Sequence, residues 1–515
     1  MGHETMRDEL RRPFDPVHDD ATLRKTSLDK DLSKIERVER AALTISRQLM
    51  APGLALLFLA AAGLVAGYQI AGHSSALVIV AASVIGGYMA LNVGANDVAN
   101  NVSAAVGARA LTMTGALVIA ASFESAGAII AGGDVVKTIS TGIIDPGQIG
   151  DNRTFLWAMM AALLSSALWV NLATYIGAPV STTHAVVGGV MGAGITAAGV
   201  DAVNWPTMGA IAASWVVSPL LGGIVAALFL AFIKTFIIYQ DDKIAAARRW
   251  VPLLIATMAG AFAGYLVMKG LGKIWKAPPS AVAGLSVAVF MLSYIVLRPL
   301  VRRQSEGLEN RNQSLRRLFH LPLILSAALL SFAHGANDVA NAVGPLAAIL
   351  HSAQSGSISG EVGLPLWVML IGAGGISLGL LLYGPKLIRM VGEQITKMNP
   401  MRAFCVALSA AITVIVASAL GLPISSTHTA VGAVFGVGFF REYYTAHSKR
   451  RRLYVKSHPK RHKRVMSLRA DREEAQRRKL VRRSHFIVIV AAWLVTVPCA
   501  AALASVIFLV LDALQ

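Results

Sequence analysis

Long, nearly uncharged apolar segments recur along the chain from residue 51 onward. Two of them read APGLALLFLAAAGLVAGYQIA (51–71) and FIVIVAAWLVTVPCAAALASVIFLVLDAL (486–514). A helix of about 20 apolar residues crosses a bilayer, and about a dozen such segments can be counted here. Backbone polar groups inside a bilayer must bond within the protein, and segments this long favour helices over barrel strands. The sequence therefore predicts an all-α polytopic membrane protein with about 12 transmembrane helices.

The charge of the chain is low and unevenly placed. Charged residues make up 15% of the sequence, against about 25% in a soluble domain. The net charge is +19, and residues 441–485 hold 17 Lys and Arg against four acidic residues. This excess is typical of a cytoplasmic loop that touches anionic lipid headgroups. Nucleic-acid binding or attraction of an anionic substrate is a weaker alternative, and we expect no nucleic-acid partner.

The positions of basic loops predict the topology. Loops rich in Lys and Arg face the cytoplasm, and threading the apolar segments between them places the N-terminus in the cytoplasm. We expect the protein to lie in the inner membrane of a bacterium. We divide the chain into a charged cytoplasmic tail (1–50), an additional N-terminal span (51–74), a first repeat (75–236), connecting helices and loops (237–320), a second repeat (321–440), the basic loop (441–485) and a C-terminal span (486–515).

The heptad GANDVAN occurs at residues 94–100 and again at 335–341. By the predicted topology, the first copy ends a segment that runs from outside to inside, and the second lies on a segment that runs the other way. Identical motifs that enter the membrane from opposite faces indicate an inverted-topology repeat. In secondary transporters such repeats place the substrate and ion sites near the bilayer midplane.

A second duplicated motif supports the repeat. PVSTTHAVVGGV (179–190) matches PISSTHTAVGAV (423–434) in Pro, Ser, Thr, His, Val and Gly at equal offsets. The distance from Asp97 to His184 is 87 residues, and that from Asp338 to His428 is 90. Two motif pairs at nearly equal spacing make chance repetition an unlikely explanation.

The heptads have the chemistry of a cation site. Asp97 and Asp338 are acids at depth in the membrane, where such residues mark ion or proton paths. The amide oxygens of Asn96, Asn100, Asn337 and Asn341 lie close to these acids in sequence. Carboxylate and amide oxygens suit a hard cation such as Na⁺, whereas a carboxylate in a low dielectric can instead take up a proton. A helix-packing role for the cluster is the alternative.

The Ser/Thr motifs have the opposite chemistry. Pro179 and Pro423 are suited to the opening residue of a helix, so the following hydroxyls fall in its first turn. The N-terminus of a helix binds anions through its free N–H groups and partial positive charge. The hydroxyls that would add donors there are those of Ser181, Thr182, Thr183, Ser425, Ser426 and Thr427. Glu124, in the middle of a span, is a possible additional functional acid.

These residues resemble the PiT family of inorganic phosphate transporters. The similarity rests on the paired GANDVANNV and GANDVANAVGP, each followed by PVSTTH or PISSTH, and extends over residues 75–440 and the last helix. It implies broken or re-entrant helical hairpins, phosphate symport with Na⁺ or H⁺, no other cofactor and a homodimer. It implies phosphate at the six hydroxyls, and the coupling cation at the Asp and Asn residues of both heptads, with Na⁺ possible at Asp97, Asn100, Asp338 and Asn341.

Other functions are weaker expectations. A sulfate permease of the same fold is the first alternative, because phosphate near neutral pH retains a proton that can donate to Asp97 or Asp338 and sulfate has none. An intramembrane aspartyl protease could use Asp97 with Asp134, but it has no use for duplicated amide and hydroxyl motifs. A passive channel is less suited to paired half-helices around a central site. We therefore expect a transporter and not an enzyme.

Overall fold

The computed structural model describes residues 49–97, 99–176, 180–270, 275, 277–355, 363–390, 398–457 and 483–514. Most of the N-terminal tail and residues 458–482 of the basic loop lie outside the described residues, so the expectations for them stay predictions. The chain divides into two compact units, Met1–Leu56 and Leu57–Gln515. The described part of the first unit, residues 49–56, is helical, and every site discussed below belongs to the second unit.

The described chain is almost entirely helical. The helices up to residue 269 are α1 (Leu49–Gln69), α2 (Ala76–Asn96), α3 (Ala99–Gly107), α4 (Met113–Ala131), α5 (Gly133–Lys137), α6 (Asn152–Ile176), α7 (Thr182–Ala198), α8 (Trp205–Ile233) and α9 (Lys243–Lys269). The later helices are α10 (Pro279–Gln304), α11 (Asn312–Leu318), α12 (His320–Asp338), α13 (Ala340–Ser355), α14 (Leu366–Met390), α15 (Pro400–Ala419), α16 (Ser426–His447), α17 (Lys449–Ser457) and α18 (Arg483–Ala513).

Eleven segments of the described chain are helices long and apolar enough to cross a membrane. Two of these segments, Ala76–Gly107 and His320–Ser355, each contain one heptad. The predicted all-α polytopic fold is therefore confirmed. Helices α7 and α16 are not among the eleven, because α7 has 17 residues and α16 is more polar; each is the second helix of a hairpin.

Both Ser/Thr motifs lie at the turns of helical hairpins. Helices α6 and α7 pack together as the first hairpin, and α15 and α16 as the second. The ends of the first hairpin meet, because the amide of Asp145 donates to Ala202 O and that of Asn204 donates to Ile143 O, at 2.8 and 2.9 Å. The chain therefore enters and leaves this hairpin at one end of the bundle.

Both heptads interrupt a membrane-spanning helix. Helix α2 ends at Asn96 and α3 begins at Ala99, while α12 ends at Asp338 and α13 begins at Ala340. Each aspartate is thus at the end of a half-helix. The backbone N–H and C=O groups beside it include some without a hydrogen-bond partner within the helix. Irregular backbone at this depth is tolerated where protein buries it, and Asp97 and Asp338 are both buried.

The two halves of the chain are packed into each other. Helix α2 packs on α14 and α12 packs on α4, while α7 packs on α18 and α16 packs on α8. Two glycines of the heptads permit the first pair of contacts. A Cβ on Gly94 would overlap the Ile376 carbonyl, and one on Gly335 would overlap the Glu124 carbonyl. Only glycine allows backbones to approach this closely. Both heptads therefore pack on a neighbouring helix through a glycine at the same position of the motif.

Candidate functional site

The two hairpin turns form equivalent helix N-termini. Ser181 caps α7 by accepting a hydrogen bond from the His184 amide, and Ser425 caps α16 by accepting one from the His428 amide, both at 3.2 Å. Serine is favoured at this position because its oxygen satisfies a free N–H of the first turn. Helix α16 begins three residues after Pro423, so the expectation that this proline opens the helix is wrong. Pro179 lies outside the described residues.

Asp97 is bonded to both hairpin turns. Its Oδ2 accepts a hydrogen bond from Thr182 Oγ1 at 2.6 Å, and its Oδ1 accepts one from Thr427 Oγ1 at 3.0 Å. Thr182 belongs to the first hairpin and Thr427 to the second. The carboxylate of the first heptad therefore joins the N-terminal ends of α7 and α16.

The amides of the heptads complete the connection between the hairpins. Asn100 Nδ2 donates to Thr427 Oγ1 at 2.8 Å. Asn341 Nδ2 lies within hydrogen-bonding distance of Thr182 Oγ1 and Thr183 Oγ1, at 3.0 and 3.2 Å. Each of these amides thus reaches the hairpin of the opposite half of the chain. Both predicted sets of residues, hydroxyl and acid–amide, meet in one buried network.

Asp338 has a similar but not identical environment. Its Oδ2 accepts a hydrogen bond from Ser426 Oγ at 3.1 Å, as Asp97 does from Thr182 at the corresponding position. The same oxygen lies 2.8 Å from His334 Nε2, and His334 Nδ1 lies 3.0 Å from Glu124 Oε1. His334 therefore lies between two carboxylates, and all three side chains are buried.

The hairpin turns also touch each other directly. Thr183 Oγ1 donates to Ile424 O at 3.1 Å, and the rings of His184 and His428 pack edge to face with centroids 4.6 Å apart. Trp215 of α8 adds a hydrogen bond from its Nε1 to Pro423 O at 3.1 Å. The two donor-rich helix ends therefore converge, as the sequence predicts for an anion site shared by two repeats.

Asn96 and Asn337 each bond the first helix of a hairpin near its end. Asn96 Nδ2 donates to Thr174 Oγ1 near the end of α6 at 2.7 Å. Asn337 Nδ2 donates to Ser418 Oγ near the end of α15 at 3.0 Å and lies 3.2 Å from Leu422 O. Their amide nitrogens thus fix the first helix of each hairpin. The prediction that these two asparagines also hold the cation depends on their remaining amide oxygens.

Several buried oxygens at and near the heptads have no hydrogen-bond donor among the described residues. They are Asn337 Oδ1, Asp338 Oδ1, Asn341 Oδ1 and Glu124 Oε2. A buried acceptor without a partner is costly unless a donor or a cation compensates it. In addition, one ligand atom each from Asp97, His334 and Asp338 lies within 4.8 Å of the others. Oxygen atoms of this kind suit a hard cation or a proton.

The comparisons with known proteins agree with this geometry. Residues 93–504 match the phosphate transporter family. This match covers both heptads, both hairpins and most of the last helix. The chain belongs to the phosphate transporter family.

The transporter is similar to curated proteins along almost its whole length. A protein of Helicobacter pylori (strain J99), provisionally named a phosphate permease, is 45% identical over 94% of this chain and 99% of its own. One of Pyrococcus abyssi with a similarly provisional name is 34% identical over 83% of this chain and 96% of its own. A solved structure titled as the sodium-dependent phosphate transporter has a TM-score of 0.75 and 34% identity, covering 85% of this chain and all of that one.

This family membership decides between the classes of function that the sequence leaves open. The protein is an integral membrane transporter and not an enzyme, so the aspartyl protease alternative is excluded. Of the acids that suggested it, Asp134 forms an ion pair with Lys269 of α9 and Asp97 bonds the hairpin hydroxyls. Neither arrangement is the facing acid pair of such a protease.

Sequence reasoning missed four residues of this candidate site. His334 precedes the second heptad, where the first heptad has Val93, so it lies outside the repeated pattern. Asn101 follows the first heptad and donates from Nδ2 to Glu124 Oε1 at 2.9 Å. Thr174 and Ser418 each precede the motif proline by five residues, with a glycine between, so a longer comparison of the repeats would have found both.

Proposed function

We propose that this transporter carries inorganic phosphate in symport with Na⁺, by alternating access around the site between its two hairpin turns. The observation that carries the proposal is the position of Thr182. Its hydroxyl is bonded to Asp97 of the first heptad and lies within bonding distance of Asn341 of the second. The proposed anion site and the proposed cation site therefore share the Thr182 hydroxyl. Coupled transport requires such a link between the two sites.

The proposal assigns phosphate to the space between the hairpin turns. The hydrogens of Thr182 and Thr427 now go to the Asp97 carboxylate. A phosphate between the turns would take these donors, together with free N–H groups at the starts of α7 and α16. Ser181 and Ser425 already cap the helices through their oxygens, and their hydroxyl hydrogens remain available to the anion.

The charges of the site explain why a cation must accompany the anion. Asp97, Asp338 and Glu124 are three buried carboxylates, and His334 is the one basic side chain in contact with them among the described residues. A phosphate brought next to them meets strong repulsion in a low-dielectric environment. Cations bound at Asp97 and Asp338 would remove that repulsion. They would also compensate the carboxylates for the hydroxyl donors that they lose to phosphate.

Na⁺ is the first choice of coupling ion. The related solved structure is titled as sodium-dependent, and the buried acceptor oxygens of Asn337, Asp338 and Asn341 supply hard ligands. Proton coupling is the second candidate, favoured by one observation. His334 lies between Glu124 and Asp338, and a buried histidine between two carboxylates can carry a proton.

The packing of the helices supports an inverted repeat. If α2, α4, α7 and α8 correspond to α12, α14, α16 and α18, the contact of α2 with α14 is equivalent to that of α12 with α4. The contacts of α7 with α18 and of α16 with α8 are equivalent in the same way. Paired contacts of this kind are expected of two halves related by a two-fold axis. The opposite directions predicted for the two heptads would place that axis in the membrane plane, and in such transporters the halves rock around a fixed site.

The deciding experiment is uptake of labelled phosphate into proteoliposomes with Na⁺ and pH gradients imposed separately. We expect an inward Na⁺ gradient to drive accumulation and a pH gradient alone to have little effect. Accumulation driven only by the pH gradient would favour the His334 candidate. Flux that ignores both gradients would indicate a channel and refute symport.

The same preparation tests the assigned acids. Asp97→Asn or Asp338→Asn keeps the shape of the side chain but removes the charge that attracts the cation, so gradient-driven uptake should fall to background. Thermal unfolding of the purified variants serves as the control for folding. Normal Na⁺-dependent uptake in both variants would defeat the assignment of the cation to the heptads.

Phosphate is preferred to sulfate as the tetrahedral anion, because a protonated oxygen of phosphate can donate to a carboxylate of the site. Unlabelled sulfate should therefore compete poorly with labelled phosphate. Strong inhibition by sulfate at equal concentration would reassign the substrate.

We further infer a homodimer in a bacterial inner membrane with a cytoplasmic N-terminus. Native mass spectrometry and the labelling of single cysteines in the terminal loops from either side test these expectations. The predicted contact of the basic loop with anionic headgroups belongs to the same set of proposals.

A further inference from the structure

A group of three arginines lies at the base of the second hairpin, at the opposite end from its turn. Arg316 belongs to α11, Arg402 to the first turn of α15 and Arg441 to α16. Helix α15 packs on both α11 and α16. The charges of Arg441 and Arg316 both act on the Arg402 guanidinium. We call this group the arginine cluster.

Arg402 is held in a fixed orientation within the cluster. Asn399 caps α15, and its Oδ1 accepts hydrogen bonds from the Arg402 amide at 3.0 Å and from Arg402 Nε at 3.1 Å. Arg402 Nη1 is buried and has no hydrogen-bond partner among the described residues. A buried guanidinium nitrogen without an acceptor is costly, because its hydration is lost and nothing replaces it. One edge of the guanidinium is therefore directed by Asn399, while Nη1 has no acceptor within the part of the chain that the structure describes.

The described residues supply no carboxylate to any member of the arginine cluster. Their ion pairs join Lys269 to Asp134, Arg311 to Glu309, and His334 to its two acids. Positive charges that act on one another without a counterion repel. Lys234 is close enough for its charge to act on Cys405, one turn along α15 from Arg402, and it adds to the positive potential.

We propose that the arginine cluster binds a phosphate group at a site separate from the one between the hairpin turns. Guanidinium groups match phosphate oxygens in paired hydrogen bonds, and the N-terminus of α15 adds a favourable dipole. The source of the phosphate group is either free inorganic phosphate or the headgroup of an anionic lipid. Bound there, the anion joins α11 to both helices of the hairpin. Because α11 directly precedes α12, which carries Asp338, occupancy would restrain the hairpin against the second heptad.

The first test measures binding of labelled phosphate to the full-length protein in detergent without anionic lipid. The variants are Arg402→Gln, Arg441→Gln and Arg316→Gln, and the matched control is Arg303→Gln, an exposed arginine at the end of α10. If the source is free phosphate, the wild type and the control bind one more phosphate per chain than the cluster variants. Loss of a charge-assisted hydrogen bond costs about 1.5–3 kcal/mol, which corresponds to roughly tenfold weaker binding or more. Thr182→Val, which impairs the central site, should leave this additional phosphate bound.

The second test uses nanodiscs of phosphatidylcholine with and without phosphatidylglycerol. If the source is a lipid headgroup, phosphatidylglycerol raises the unfolding temperature of the wild type and the control, but not that of the cluster variants. Equal phosphate binding and equal lipid response in all four proteins and the wild type would overturn the proposal. Arg316 is exposed, so Arg316→Gln keeps the test decisive if Arg402→Gln fails to fold. Loss of central binding in Thr182→Val alone bears on the transport mechanism and not on this cluster.

Discussion

Replacing Thr182 with valine removes the hydroxyl that connects the two heptads while preserving the shape of the side chain. The hydroxyl donates to Asp97 at 2.6 Å and lies 3.0 Å from the Asn341 amide. In the proposed cycle the same hydrogen passes to phosphate when a cation compensates Asp97. We therefore expect Thr182→Val to weaken phosphate binding directly and to weaken the dependence of uptake on the coupling ion.

The structure sets the size of the effect. One charge-assisted hydrogen bond to the anion is lost, and such a bond contributes about 1.5–3 kcal/mol. At about 1.4 kcal/mol for each factor of ten, the apparent affinity for phosphate should fall roughly 10- to 150-fold. The cost to folding should be smaller, because the Asn341 amide retains Thr183 Oγ1 as an acceptor and Asp97 retains Thr427 as a donor.

The assay is the KM for phosphate in Na⁺-driven uptake by proteoliposomes, together with the unfolding temperature of the purified protein. Thr413→Val is the matched control, since Thr413 is a buried threonine of α15 whose hydroxyl donates to Ser409 O within its own helix. A KM for Thr182→Val within about twofold of the control would refute the reasoning, because the predicted loss is at least roughly tenfold. So would an equal loss in both variants.

Three further outcomes are expected. His334→Gln should reduce uptake and destabilise the protein by about 3–5 kcal/mol, because it leaves two buried carboxylates without their basic partner; unchanged uptake would place His334 outside the mechanism. Gly335→Ala should destabilise the protein by about 1–3 kcal/mol, because the new Cβ would overlap the neighbouring helix. Gly284→Ala should not, because a Cβ there has no other atom within 4 Å. Thermal unfolding of both variants checks this prediction. The pKa of Asp151 is lowered because its carboxylate accepts hydrogen bonds from Thr154. Asp151→Ala should therefore destabilise the protein near neutral pH by about 1 kcal/mol. The difference in stability between this variant and the wild type should disappear as the pH falls through that lowered pKa.

The duplicated part of the candidate site could be predicted from the sequence. A polar motif in an apolar span has few explanations, and its repetition at matched spacing shows which residues act together. That reasoning identified Asp97, Thr182, Asn341 and Thr427, which the structure brings into one hydrogen-bonded network. The hydroxyl-bearing helix ends also converge as predicted, because their N-capping serines follow a local rule that sequence spacing captures.

The contact between the two unpaired residues of the candidate site could not be predicted, although Glu124 itself stands out as an acid in the middle of a span. His334 and Glu124 lie at positions whose packing counterparts are Val93 and Ile376, so comparison of the two halves does not pair them. Their contact joins α12 to α4 across 210 residues of sequence, and nothing local in either helix predicts that proximity. The start of α16 was misjudged for a different reason, since Ser425 caps the helix and a proline two residues earlier need not begin it.

The crossed packing of the hairpins has a consequence for how the protein is made. The first hairpin packs on α18, and Thr196 of α7 donates to Ser505 of α18 at 2.7 Å. Ribosomes synthesise α7 some three hundred residues before this neighbour. A chain interrupted before α18 therefore lacks a helix on which its first hairpin packs, so this hairpin cannot reach its final packing until α18 has been inserted.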